Sequence, residues 1–455
     1  MYHDDEQYNK SRFLALAWIG RLREALPSLV RDVGSKLGVE VEYEFLALGS
    51  YNCCYRLKGL HSILRFPILC KSAFRYEKTT DECMVMAYIS RHTAIPTPKL
   101  LAAESCEFGP YTVLSFVDGT RLSDCLKAAA ASNPDTPTVL RPDIDTALLS
   151  RAYSKMATIL LELSRCQFDR IGAVGQDASG TWCVTKRPVT LNMNQLVSCG
   201  NYPPKSLPQH AFTTANEYFT ALAEVHITHL QTQRNDAVED EADCRKKYVA
   251  RHLFLRIARG FSTEYNHGPF PLYCDDLRPG NVIVDSSSSA DLDVRGVIDW
   301  EYCYAAPAEL TYCPPAWLLL THPDDWPEGD LGTFLEQYLP RYRLFLESLR
   351  LEEDKMIERD RISESQRLST KMARSLENGH FWVCLAATSS FGFDDIYWKF
   401  IDPLYYGDFT SLEDRIRLLS VEEQDKLQGF VELKMRQAND GGLDEHLDLH
   451  DRFAA

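Results

Sequence analysis

The segment from Leu272 to Glu301 constrains this chain more than any other. It runs Leu272-Tyr-Cys-Asp-Asp-Leu-Arg-Pro-Gly-Asn-Val-Ile-Val-Asp285 and, past a serine run, Val297-Ile-Asp-Trp-Glu301. Asp276 and Asn281 stand five positions apart, ahead of an apolar strand. Asp299 follows Asn281 by eighteen positions and closes a second strand. Phosphoryl transfer asks for such a set. One carboxylate must accept or orient the proton of the attacking hydroxyl, while a separate Asp and an Asn oxygen hold Mg2+ against the phosphates. A loop between two strands keeps both functions close together. Taken singly, Asp-Leu-Arg-Pro-Gly-Asn is also a good turn and Asp299 a good helix cap. Taken together, with strand flanks and fitting pieces upstream, the set points to phosphoryl-transfer chemistry.

The upstream pieces form a mostly β unit. Val41, Tyr43, Phe45 and Ala47 alternate with Glu42 and Glu44, as in a half-buried strand. Gly49-Ser50-Tyr51-Asn52 makes a turn, Cys53–Leu57 returns, Lys58-Gly59 turns again, and His61–Phe66 completes an antiparallel meander. A helix over 76–91 ends before Ile95-Pro96-Thr97-Pro98. Strands follow around Leu100–Ala103 and Tyr111–Phe116, and Asp118-Gly119 marks a turn. Ahead of this unit, 11–37 reads as a helix with Leu14, Trp18, Leu22, Leu26 and Val30 at spacings of four, kinked or split at Pro27. Beyond Gly119 helices dominate: a stripe from Leu149 to Leu163, segments 212–233 and 245–262, and most of the chain from 310 onward. Ala128–Thr138 and the acidic run Asp236–Asp243 read as loops. Ser286–Ser289 reads as a hairpin tip between strands Val282–Asp285 and Val294–Asp299. The expected organisation is a helical segment 1–38, a β lobe 39–118, and a helical lobe 119–455 that carries the loop 274–281 and the segment 297–301.

Composition serves mainly to exclude. Among 455 residues, 65 are acidic and 49 basic, a net charge of -16 that is wrong for gripping a phosphate backbone, so no nucleic-acid partner is expected. The 14 cysteines form no C-x-x-C pair and read as thiols of a reducing compartment. No apolar stretch is long enough to span a bilayer, which makes the cytoplasm the expected location, away from membranes. His61, His210, His226 and His229 make no metal-like set. Trp317, Trp382 and Trp398 read as core, and Asp394 and Asp395 as candidates for lining a substrate cleft.

The run from Cys274 through Asp276 to Asn281, followed by Ile298-Asp-Trp-Glu301, resembles the catalytic loop of the aminoglycoside phosphotransferase and choline kinase-like family, H-x-D-x-x-x-x-N and then I-D-W-E. The resemblance spans about Gly49 to Pro307. Through Gly268-Pro-Phe-Pro-Leu272 and Phe381-Trp382 it is similar to fungal members. It implies an α+β, two-lobed protein kinase-like fold, with a small antiparallel sheet and one helix in the N-lobe and a larger, mainly helical C-lobe. Asp276 would be the catalytic base, Asn281 and Asp299 the metal ligands, and ATP and Mg2+ the cofactors. Gly49, Ser50 and Asn52 would lie in the turn over the phosphates. Arg65 would stand where kinases place the phosphate-pairing Lys, with Glu82 as its partner and the backbone of Tyr111–Val117 against the adenine. The implied activity moves the γ-phosphate of ATP to a hydroxyl of a small molecule; a nucleotide-binding pseudokinase or scaffold is the alternative. A protein kinase lacks its G-x-G-x-x-G, D-F-G and A-P-E series here. Three residues depart from the pattern. Arg65 replaces Lys, with different geometry. Cys274 replaces His and packs as a small apolar group. Asp275 adds a carboxylate next to Asp276 and is expected to point away, because close carboxylates repel. Neither the acceptor nor the oligomeric state follows from these residues.

Overall fold

The computed structural model describes residues 1–128, 138–285, 291–323, 326 and 330–439. The chain opens with helix α1 (Asp5–Leu37). Asp4 caps its start by accepting from Gln7 N at 2.9 Å, and Gly38 ends it in the left-handed region at φ 73°. The helix begins earlier than its apolar spacing predicts and continues through Pro27. Proline removes one backbone bond, but Leu22, Leu26 and Val30 anchor the helix on a sheet on both sides of it.

That sheet is antiparallel and five-stranded. Strands β1 (Glu42–Leu48), β2 (Asn52–Lys58) and β3 (Ser62–Pro67) precede helix α2 (Arg75–His92), and β4 (Leu100–Cys106) and β5 (Gly109–Ser115) follow it. The spatial order is β1-β2-β3-β5-β4. Tyr55, Leu57, Leu64 and Val113 meet α1 and form the N-lobe core. The alternation of β1 does not become burial. It is an edge strand with a bulge between Phe45 and Ala47, and Phe45 is 52% exposed.

Beyond the hinge come β6 (Thr120–Arg121), α3 (Leu122–Leu126), α4 (Thr146–Ser164), β7 (Gln167–Phe168), β8 (Ala173–Gln176), β9 (Trp182–Lys186), α5 (Leu191–Cys199), α6 (Ala215–Thr232) and α7 (Glu241–Ala258). Next are β10 (Phe270–Cys274), β11 (Val282–Asp285), β12 (Asp293–Val297), β13 (Cys303–Ala305), α8 (Ala308–Thr311) and α9 (Leu331–Glu358), then further helices to Val421–Asn439. This is a two-lobed α+β architecture with a sheet lobe and a mainly helical lobe. The acidic run is not all loop: Asp240 caps α7, and Glu241 and Asp243 occupy its first turn, where negative charge suits the helix dipole. The second strand of the hairpin ends at Val297, so Ile298 and Asp299 lie beyond it. The Ser286–Ser289 tip and most of Ala128–Thr138 fall outside the described residues. Trp382 is buried and stacks on Phe400 at 3.7 Å.

The lobes share a third apolar cluster. Cys70 and Phe74 pack there with Met193, Leu196, Tyr202 and Tyr302. Asn194 of α5 clamps the loop before α2, accepting from Ala73 N at 2.7 Å and donating to the Lys71 carbonyl at 3.2 Å. Arg187 forks onto Glu77 of α2 at 3.1 and 2.7 Å. Helix α1 spans the junction. Its later turns lie on the sheet, while Asp4 N donates to the Cys199 carbonyl at 2.8 Å and Ser11 Oγ to the Ser198 carbonyl at 3.4 Å. No described helix is long and apolar enough to cross a membrane.

Candidate active site

The strands that bound the Asp275–Asn281 loop also bound the segment carrying Asp299. β10 pairs with β13, placing Cys274 opposite Cys303, and β11 pairs with β12, placing Val282 opposite Val297. The chain therefore leaves one pair of strands at the loop and returns beside it. Ile298 N donates to the Asn281 carbonyl at 2.8 Å, and Asp275 N to the Tyr302 carbonyl at 3.1 Å. The Cys274 thiol donates to the Glu301 carbonyl at 3.7 Å, which ties β10 to the following segment.

Inside the loop, Asn281 Nδ2 donates to the Asp276 carbonyl at 2.7 Å and to its Oδ2 at 3.2 Å, while Arg278 Nε lies 3.1 Å from Oδ1. Both carboxylate oxygens of Asp276 are thus held. Burial pushes this carboxyl above the ordinary range, with Arg278 working against the rise. Asp275 points elsewhere, as expected. Its Oδ2 accepts from Leu191 N at 3.0 Å, at the start of α5, and burial lifts it to about 7.

Asp299 and Tyr302 adopt left-handed backbone conformations, with φ 66° and 60°. Between them Trp300 is buried and donates from Nε1 to the Val297 carbonyl at 2.9 Å. This tight turn delivers both Asp299 and Glu301 to Arg65. The Arg65 guanidinium bonds Glu82 through Nη1 and Asp299 through Nη2, and Nη2 also lies 3.2 Å from Glu301. Burial raises Asp299 to about 7, tempered by Arg65 and reinforced by Glu301.

Gly49 and Ser50 occupy the exposed β1–β2 turn, closed by a 2.8 Å bond from Gly49 N to the Asn52 carbonyl. Asn52 turns inward, and its Nδ2 donates to both Glu301 oxygens at 3.3 and 3.1 Å. Two further residues, to which the sequence assigned no role of their own, belong to the cluster. Glu301 lies at its centre, and Lys78, buried on α2, bonds it through Nζ. The signal available for Lys78 was its position four residues before Glu82, on the same helix face. Asp394 is held by Arg251 at 2.7 and 3.0 Å.

The Asn281 side-chain oxygen and the Asp299 carboxylate are hard oxygen donors of the kind Mg2+ takes. Among the described residues, no group of three His, Cys, Asp or Glu could hold a metal ion by itself.

Residues 68–351 match the model of the phosphotransferase enzyme family, APH. No curated protein matches the chain. Among solved structures, aminoglycoside phosphotransferase APH(4)-Ia aligns at 13% identity over 91% of this chain and 99% of that one, with a TM-score of 0.41. A GDP complex of an aminoglycoside 2'-phosphotransferase variant aligns at 13% identity over 92% and 98%, with a TM-score of 0.41. Aminoglycoside phosphotransferase APH(3'')-Id from Streptomyces rimosus, in complex with ADP and streptomycin, aligns at 15% identity over 73% and 98%, with a TM-score of 0.34.

Proposed function

The chain belongs to the phosphotransferase enzyme family, and we propose that it moves the γ-phosphoryl group of ATP to a hydroxyl of a small-molecule acceptor. The observation that carries this reading is the joining of the Asp276–Asn281 loop to the Asp299 segment by the 2.8 Å bond from Ile298 N to the Asn281 carbonyl. Asp276 orients the acceptor hydroxyl and takes its proton as the oxygen bonds to the γ-phosphorus and the bridging P–O bond breaks, leaving ADP. Asn281 and Arg278 fix the carboxylate for that task. Mg2+, when held by Asn281 and Asp299, supplies charge neutralisation at the phosphates. Arg65 turns N–H donors toward the phosphates with Glu82 behind it. Gly49 and Ser50 cover them from the turn, and the 111–117 backbone lies against the adenine. Catalysis of this kind is positioning plus electrostatic stabilisation.

Thermal unfolding with ATP, in Mg2+ and in EDTA, tests the nucleotide site. Ligand at a hundred times its dissociation constant adds about 2.7 kcal/mol of stability. A Mg2+-dependent shift that disappears in Asp299→Ala is the expected result, and no shift in any condition would sink the reading. The bond between Arg65 and Asp299 favours one rival, a scaffold that binds nucleotide without using it. Nucleotide binding with no ATP turnover across a panel of alcohols and amino sugars would support that rival.

A further inference from the structure

Lys78 is a cation that the proposed mechanism does not use. It is 2% exposed, with Nζ bound to the Glu301 carboxylate and 3.2 Å from Ser72 Oγ, beneath the Tyr302 ring at 5.5 Å. An ammonium group withdrawn this far from water is costly unless it is paired. The cluster around it sets Arg65 and Lys78 against Glu82, Asp299 and Glu301, so two cations face three carboxylates. Glu301 stands two positions past Asp299 and shares Arg65 with it. Arg65 is already shared by all three carboxylates, so without Lys78 Glu301 would be a spare carboxylate beside the metal ligand.

We propose that Lys78, aided by Asn52, is a positioning residue that withholds Glu301 from the metal, so that Asp299 is the single acidic ligand this segment offers. The inference rests on the reading of Asn281 and Asp299 as metal ligands. Lys78 Nζ bonds Glu301 Oε2, and Asn52 Nδ2 reaches both carboxylate oxygens at 3.3 and 3.1 Å. Losing Lys78 leaves Arg65 alone against three carboxylates, and Glu301 is then drawn to any divalent ion.

The experiment uses the full chain without nucleotide and Mn2+ as the probe, with bound ion read by electron paramagnetic resonance. Lys78→Met tightens Mn2+ binding by roughly tenfold, the expected effect of one uncompensated carboxylate near a divalent ion. Lys78→Met with Glu301→Gln returns the affinity to the wild-type value. Unchanged or weaker binding in Lys78→Met would overturn the proposal, as would Mn2+ binding in none of the variants. The double variant removes both charges together and leaves no lone buried ion, so it remains informative if Lys78→Met does not fold. A double variant that binds Mn2+ tenfold more weakly than wild type would make Glu301 a native ligand and overturn the proposal too. Failure of the transferase reading is separable, because it appears as absent ATP turnover in wild type, whereas the Lys78 comparison is read without nucleotide.

Discussion

Asp276 offers the sharpest test at the scale of a single residue. Asp276→Asn keeps the size and one of the two accepting oxygens but cannot take a proton. We expect ATP-induced stabilisation to persist while transfer falls by about 10²–10⁴-fold, measured as turnover beside a melting curve. Undiminished turnover would remove Asp276 from the role. Asp276, Asn281 and Asp299 were legible in the sequence because one loop and one following strand bring them together. The Arg65–Glu82 pair was legible through the resemblance and a strand-then-helix pattern. Lys78, Asn52 and Glu301 were not legible as a unit. Lys78 meets Glu301 across 223 positions and Asn52 meets it across 249. On its own helix a lysine reads as a solvated charge, and only the meeting of two lobes makes it a buried one.

Among the elements, the periodic helices, the meander strands and β11 announced themselves, and most short pieces of the helical lobe did not. The sequence located α2, α4 and α6 to within a few residues: α4 and α6 carry apolar stripes, while α2 was bounded by Pro96 and Pro98. It left β7, β8, β9, β10, β13 and α5 unseen. The strands are two to five residues long and are defined by partners distant in sequence rather than by alternation. The hinge shows how tightly such pieces meet. Thr120 and Arg121 pair with Val284 and Ile283, and Gly119 precedes them at φ 145°. A Cβ there would lie 2.6 Å from the Val284 carbonyl oxygen. Gly119→Ala is therefore expected to cost about 1–3 kcal/mol, measurable by urea denaturation. A variant as stable as wild type would mean the hinge can withdraw from β11.

The whole molecule carries an acid sensitivity in its helical lobe. His226 of α6 is 1% exposed, lies 3.1 Å from Ser390 Oγ, and is lowered by burial to about 3. His229, also buried, is lowered in the same direction. Between the ordinary histidine value of 6.5 and about 3, the unfolded chain binds protons that the folded chain refuses. The histidine contribution is then flat above pH 6.5 and falls as pH drops below it, while Asp275 and Asp299, raised to about 7, work in the opposite direction. The expected loss from pH 6.5 to 5 is roughly 2 kcal/mol per histidine, and His226→Gln lessens it. The same change in unfolding free energy between the two pH values in wild type and in His226→Gln would contradict this. Helix α1 has a consequence of another kind. A chain with two hydrophobic cores ordinarily has the freedom to melt in two steps, but here one rigid rod is a structural member of the sheet lobe and is bonded to α5 of the other. Neither core can dissolve without loosening the rod that the other holds. Scanning calorimetry should record a single endotherm whose van't Hoff and calorimetric enthalpies agree, and two resolved peaks would mean that the rod transmits no cooperativity between the halves it touches.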